Sequence, residues 1–312
     1  MTDDLQQPPK PYRILLYYKY VKIDNPEEYA AEHLTFCKSI GVLGRILISH
    51  LGINGTLSGT IEQTDQYINA MRSDPRFADM VYKIDESDTH AFNKIFVRHK
   101  AELVTFRLPY ELDPNELTGK YLEPVDFYKA MTEEDVVIVD ARTDYEYDLG
   151  HFRGAIRPPV SSFKEFPEWV RENLGEFKNK KVLTYCTGGI RCETFTGLLL
   201  KEGFQDVYQL HGGIVTYGKD ETVKGRLFDG KCYVFDNRIS VPINHTEEDV
   251  IVSHCHHCGK PSDRYINCAN MYCNLQHFCC EECEITHRQS CSEECKQSTH
   301  RRERDIHHVA HH

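Results

Sequence analysis

Nine of the chain's 13 cysteines lie between Cys255 and Cys295, and that skew constrains the fold more than any other feature. They fall as Cys255-x2-Cys258, Cys268-x4-Cys273, Cys280-x2-Cys283 and Cys291-x3-Cys295, with Cys279 left over. A short pair on a tight turn supplies two of the four soft ligands that a tetrahedral zinc ion takes, so eight paired thiolates are expected to hold two ions. The stretch has few apolar residues of its own, and metal binding is expected to supply its folding free energy. An all-thiolate shell leaves no open position, so these zinc sites read as structural. The odd cysteine total sits badly with a pure disulfide framework, and clustered thiols in a reducing compartment point to metal. His254, His256, His257, His277, His287 and His300 stand nearby as substitute ligands, which leaves the pairing within the cluster open. The terminal histidine run from His307 to His312 reads as a solvated tail.

The rest of the chain is composed differently. Over all 312 residues, 40% are hydrophobic and 27% charged, enough to bury the cores of two or three domains. No apolar run reaches the length of a membrane span, and the polar, Pro-rich start lacks the pattern of an export signal. A cytoplasmic protein without a membrane partner is expected. The formal charge of −11 argues against holding nucleic acid of any kind through bulk basicity and leaves only a local basic face for it; no DNA partner is expected. That charge is uneven: residues 1–110 carry 13 basic and 14 acidic side chains, residues 111–250 carry 17 and 26, and residues 251–312 carry 7 and 8.

Residues 1–108 read as an α+β unit of ferredoxin-like order. A strand from Tyr12 to Val21 precedes a helix from Pro26 to Ile40, which stops at Gly41. Short strands at Gly44–His50 and Ile53–Ser58, a helix at Ile61–Met71 and alternating apolar positions in Phe92–Leu108 complete a β-α-β-β-α-β order. Residues 109–122 read as a linker with prolines and acids. From 123 to 222 the chain reads as an α/β domain with a parallel sheet. Its strand Val136–Asp140 opens with four consecutive β-branched residues, the mark of a strand buried on both faces. Lys181–Tyr185 and Val207–Leu210 continue that sheet. A connecting segment (223–252), the Cys-rich zinc module (253–300) and the tail (301–312) follow.

The loop Cys186-Thr187-Gly188-Gly189-Ile190-Arg191-Cys192 joins one of those buried strands to a helix. There, backbone N–H groups converge and the helix dipole is positive, so the thiolate is favoured over the thiol. Gly188 and Gly189 let the backbone curl around the sulfur, and Arg191 adds a fixed positive charge. Cys186 is therefore the expected nucleophile. Cys192 reads either as a partner that resolves Cys186 chemistry or as a structural thiol.

Four motifs occur in the order of a rhodanese domain: Asp140-Ala141-Arg142, Gly150-His151-Phe152-Arg153-Gly154-Ala155-Ile156, the Cys186 loop, and Leu210-His211-Gly212-Gly213-Ile214. They resemble that family over residues 123 to about 220. The resemblance implies a persulfide-bearing loop cysteine, with Asp140 and Arg142 supporting the fold around it. Rhodanese-like phosphatases place an arginine six positions after the cysteine; here Cys192 stands there and Arg191 at five, which disfavours phosphatase activity. Gly52-Ile53-Asn54-Gly55-Thr56, the stretch from Gly230 to Arg238 with Val241-Pro242-Ile243, and Asn267-Cys268-Ala269-Asn270 narrow the match. Together the segments resemble the bacterial oxygen-dependent tRNA uridine(34) hydroxylases. The resemblance implies hydroxylation at C5 of the wobble uridine, with tRNA as partner, molecular oxygen as co-substrate and Cys186 required for activity. The sequence offers no iron triad or dinucleotide fingerprint as oxygen activator. Attack of Cys186 on C6 of the uracil would make C5 electron-rich and ready to meet oxygen. The competing readings are a sulfurtransferase carrying a persulfide on Cys186 and a non-enzymatic zinc and rhodanese adaptor.

With the acid concentrated in the middle third, phosphate contacts are expected from local basic positions. Lys94, Arg98, Lys100 and Arg107 are the candidates in the first unit, Arg98 and Lys100 sharing a strand face. Tyr17 and Tyr18 are candidates to stack an unpaired base, and Arg264 and Arg288 are comparable basic positions in the zinc module.

Overall fold

The computed structural model describes residues 10–133, 135–273 and 275–302, so the terminal histidine run and nearly all of the polar start lie outside the described residues. The first unit runs β1 (Tyr12–Tyr20), α1 (Pro26–Ile40), β2 (Leu43–Ser49), β3 (Gly52–Thr60), α2 (Ile61–Ser73), β4 (Tyr82–Ser87) and β5 (Ile95–His99). Pro26 opens α1 with Glu27 and Glu28 in its first turn, and Gly41 ends it at φ +79°. A reciprocal Thr60–Gln63 capping box starts α2. The sheet order is β4-β1-β3-β2-β5, antiparallel except for the parallel β2–β5 edge.

The strand that closes the ferredoxin-like order is β4, not the Phe92–Leu108 run. Lys83, Asp85 and Glu86 disguise it: Glu86 stays exposed at this sheet edge, while Lys83 and Asp85 face the second unit, where Lys219 and Arg238 pair with Asp85. The Phe92–Leu108 run instead supplies a fifth strand, β5, on the opposite edge.

The two faces of this sheet have different fates. Leu15, Tyr17, Ile46, Ile48, Ile53 and Leu57 pack with Cys37 of α1 and Tyr67, Ile68 and Met71 of α2. On the other face, cross-strand pairing sets Lys83, Leu16, Thr56, Arg45 and Phe96 in one row. Tyr18, Asn54, Leu47 and Arg98 form the next row. This helix-free face turns toward the second unit.

That unit comprises β6 (Lys120–Leu122), α3 (Pro124–Met131), β7 (Val136–Asp140), α4 (Asp144–Leu149), β8 (Gly150–Phe152), α5 (Phe166–Asn173), β9 (Lys181–Tyr185), α6 (Ile190–Lys201), β10 (Asp206–Leu210), α7 (Gly213–Lys219), β11 (Phe228–Tyr233) and β12 (Ser240–Pro242). Strands β6-β10-β9-β7 form a wholly parallel sheet. The apolar runs are explained by its two cores: Val137, Val139 and Val182 point into one, Ile138, Leu183 and Tyr185 into the other. Part of the stretch read as a linker is the edge strand β6. Strand β11, from the stretch read as a connection, pairs with β8.

The last unit holds the hairpin β13 (Tyr265–Asn267) and β14 (Gln276–Phe278), then α8 (Glu281–Thr286) and α9 (Glu293–Gln297). Its small buried centre is largely cysteine: Cys255, Cys279 and Cys283, with Ile266 and Cys280 against them. Tyr265 stacks on Tyr145 of α4, with ring centres 6.0 Å apart, and docks the unit on the second. Among the described residues no helix is long and apolar enough to cross a membrane.

Candidate active site and metal centres

Cys186 is the first residue after β9, and Gly189 caps α6 at φ +104°, a conformation that a side chain resists. Curling there brings the Gly189 N–H to the Cys186 sulfur at 3.1 Å. The loop's other side is tied to α7, where the N–H groups of Ile214 and Val215 donate to the Cys186 and Thr187 carbonyls at 3.0 and 3.1 Å. Gly213 makes that approach possible, since a Cβ on it would stand 2.6 Å from the Cys186 carbonyl oxygen.

Burial alone would push the Cys186 thiol up. The Cys192 side chain, the Arg191 charge and the backbone N–H groups of Cys192 and Gly189 outweigh it and bring Cys186 down to about 6. Cys192 moves the opposite way, kept protonated by its own burial and by its hydrogen bond to Cys186. The pair is one thiolate and one thiol, side by side.

Arg191 is fixed by two parallel bonds to the buried Glu146 carboxylate, at 2.6 and 2.7 Å, and by one to the Thr187 hydroxyl at 3.0 Å. Its guanidinium lies between the rings of Phe163 and Phe235. Glu146 was not singled out from the sequence, although the Thr143-x-x-Glu146 spacing at the start of α4 signals its local role. Asp140 and Arg142 form a wholly buried pair at 2.7 Å. Tyr185 donates to Asp140 at 2.7 Å and Arg142 donates to the Gly150 carbonyl at 2.6 Å, so the pair braces β7, β8 and β9 beneath the loop.

The first unit roofs this loop. A Cβ on Gly188 would meet Leu16 at 3.0 Å, and one on Gly189 would meet the Tyr18 hydroxyl at 2.9 Å. Tyr18 donates to Glu193 of α6 at 2.8 Å, a buried carboxylate that also receives Tyr121 at 2.7 Å and Gln209 at 3.3 Å. Lys83, like Glu146 and Glu193 not singled out from the sequence, lies 5.1 Å from the Tyr18 ring centre. Burial pulls its ammonium down to about 8, against the charges of Cys186 and Glu193.

Between the helix-free face and the loop lies a cavity of about 370 Å³, lined among others by Leu47, Asn54, Phe163, Gly188, Arg191 and Phe235. Ligand pockets commonly have about 300–1,000 Å³. Cys186 is fully buried just under this floor. Arg45 and Leu47 line both this cavity and a neighbouring groove that holds Phe96, Arg98 and Lys100, so the last two are continuous with the cleft. Arg107 lines neither; it sits exposed in the following loop, at φ +55°. Tyr17 is buried on the helix side against Tyr67 and is unavailable for stacking. Arg264 is paired with Glu284.

In the last unit the cysteine pairs interleave. Cys255 and Cys258 meet Cys280 and Cys283, while Cys268 and Cys273 meet Cys291 and Cys295. Sulfur separations of 3.7 Å (Cys258–Cys280), 3.6 Å (Cys273–Cys291) and 3.8 Å (Cys291–Cys295) match the edge of a zinc–thiolate tetrahedron. That edge is about 3.8 Å for zinc–sulfur bonds of about 2.3 Å. Both groups can hold a metal ion of the zinc type.

The parallel sheet, the buried Asp140–Arg142 brace and the glycine-lined cysteine loop define a rhodanese-like domain joined to two further units. Family comparisons divide the chain the same way: a UPF0176 acylphosphatase like domain over residues 12–103, a rhodanese-like domain over 123–220 and a rhodanase C-terminal region over 229–296. The tRNA uridine(34) hydroxylase of Bacillus licheniformis is 64% identical over 285 residues, covering 91% of this chain and 88% of that protein. That of Bacillus velezensis is 61% identical, covering 92% and 89%, and that of Bacillus thuringiensis is 60% identical, covering 94% and 92%. The chain belongs to the tRNA uridine(34) hydroxylase family.

Proposed function

We propose that this chain is a cytoplasmic enzyme that hydroxylates C5 of uridine 34 in the tRNA anticodon, with molecular oxygen as co-substrate and Cys186 as nucleophile. The observation that carries the reading is the Cys186 thiolate held beneath a cleft walled by Arg191, Asn54, Phe163 and Phe235. A flipped-out pyrimidine presents a flat face for the aromatic rings and polar edges for the asparagine and arginine. Addition of the sulfur to C6 forms a C–S bond and moves the C5=C6 electron pair onto C5 and the C4 carbonyl, so that C5 becomes the carbon that reacts with oxygen. Oxygen adds to C5 as a hydroperoxide, and the Cys192 thiol cleaves its O–O bond to leave C5–OH and a sulfenic acid. Elimination of the Cys186 sulfur with loss of the C5 proton restores the ring. The freed Cys186 thiol then condenses with the sulfenic acid to a disulfide and water.

The net change converts uridine, O₂, two electrons and two protons into 5-hydroxyuridine and water. Cys186 and Cys192 together are a dithiol able to supply both electrons and end as a disulfide, which an external dithiol reductant would reopen. Thr187, Gly188, Gly189, Ile190 and Arg191 shape the loop, and Asp140 and Arg142 brace it. Arg98 and Lys100 extend the cleft as a phosphate-contacting rim. Cys255, Cys258, Cys280 and Cys283 hold one structural zinc ion; Cys268, Cys273, Cys291 and Cys295 hold another.

The test is mass spectrometry of wobble nucleosides from a strain lacking the gene and complemented with wild type or Cys186→Ser. The wild type should restore 5-hydroxyuridine-derived nucleosides and the serine variant should not. Loss of thiolated nucleosides in their place would establish sulfur transfer instead.

A further inference from the structure

Cys279 belongs to neither four-cysteine group, yet it is wholly buried in the centre of the last unit. We propose that His257, His277 and Cys279 form a third metal site, holding a zinc-class divalent ion with one position open to water or a small anion. One ligand atom from each of the three lies within 4.8 Å of the other two. This is the same proximity that both four-cysteine groups show.

Two independent observations point to an ion there. His277, on β14, is only 5% exposed, and neither ring nitrogen has a hydrogen-bond partner. A neutral imidazole carries one donor and one acceptor, and leaving both unmade in a protein interior is costly. A metal bond to one nitrogen removes half of that debt. His257 is oriented as ligating histidines are: its Nε2 lies 3.0 Å from the Ser290 carbonyl, so Nε2–H donates there and Nδ1 keeps a free lone pair. Stacking on His287, with ring centres 3.8 Å apart and planes 2° from parallel, holds that ring in place.

Chain connectivity supports the assignment. His257 sits inside the Cys255–Cys258 turn and Cys279 immediately precedes Cys280, so folding the first four-cysteine group brings both to the third site. A thiolate with two imidazoles suits zinc-class ions and disfavours magnesium and calcium, which take oxygen ligands. Three protein ligands also leave the open position that a sealed four-cysteine site lacks. Packing of Cys279 against Cys255 and Cys283 would account for its burial but not for the two bare nitrogens of His277.

The test is zinc content of the full-length protein by inductively coupled plasma mass spectrometry, with His307, His308, His311 and His312 changed to alanine in parallel to remove the tail as a source. His277→Ala and Cys279→Ala should each bind one zinc ion fewer than their parent in either background. Equal zinc content in parent and variants would overturn the site. Should a variant lose all its zinc because the module unfolds, zinc X-ray absorption of the tail-substituted parent decides. Nine sulfur and two imidazole ligands shared over three ions are expected, and sulfur-only ligation would overturn the proposal. The readout is independent of whether the chain hydroxylates tRNA.

Discussion

Removing the Arg191 charge should move the titration of Cys186 by a measurable amount. In the structure the guanidinium is one of the influences that hold this buried thiol down at about 6. An opposite charge within about 4–6 Å commonly shifts a pKa by about 1–3 units. Arg191→Gln alone would also strand the Glu146 carboxylate, whose side chain is 1% exposed. Breaking a buried pair on one side costs about 3–5 kcal/mol. The informative variant is therefore Arg191→Gln with Glu146→Gln, which leaves neither charge behind. Because the thiolate is the reactive form, wild-type kcat/KM should rise as pH increases through about 6 and then level off. In the double variant the rising limb should move up by about 1–3 units. Ultraviolet absorbance of the thiolate, taken as the difference between each protein and its Cys186→Ser counterpart, should show the same displacement. A midpoint still near 6 in the double variant would refute the role given to the arginine.

Three further outcomes are expected. Asp140→Ala leaves Arg142 charged, buried and unpaired, so the rhodanese-like unit should lose about 3–5 kcal/mol in denaturant unfolding; an unchanged midpoint would contradict the brace. Cys192→Ser should still form the Cys186 adduct but should stop turning over with a dithiol reductant; undiminished turnover would show that the second cysteine supplies no electrons. Arg98→Glu with Lys100→Glu should weaken tRNA binding and flatten its salt dependence by about 0.7 in log–log slope for each lost contact with single-stranded RNA. Unchanged affinity at moderate salt would remove this rim from the interface.

Where the physics is local, the fold was legible in the sequence. Helix α1 is bounded by Pro26 and Gly41, and β7 is built on one run of four β-branched residues, so their limits coincide with the structure, as do those of β9. The same strand-to-helix logic exposed the Cys186 loop. Strand β4 was hidden because its charges are accommodated only in the folded chain: Glu86 at an exposed sheet edge, and Asp85 by Lys219 and Arg238 of the second unit. Glu146 and Glu193 were hidden for a related reason. An acidic residue reads as surface until the fold brings an arginine to one and two tyrosine hydroxyls to the other. The interleaving of the cysteine pairs is a matter of three-dimensional order that spacing leaves open. The roof that Leu16 and Tyr18 form over Gly188 and Gly189 joins residues more than 170 positions apart, a contact no local pattern encodes.

Attack of Cys186 on C6 of uridine 34 can be trapped with an anticodon stem-loop carrying 5-fluorouridine at that position. Fluorine at C5 cannot leave as a proton does, so a sulfur–C6 adduct should persist. Peptide mapping of the trapped complex by mass spectrometry should place the nucleotide on Cys186, with no adduct in Cys186→Ser. A nucleotide carried on a different residue, or an enzyme that hydroxylates uridine 34 fully with serine at position 186, would contradict the account.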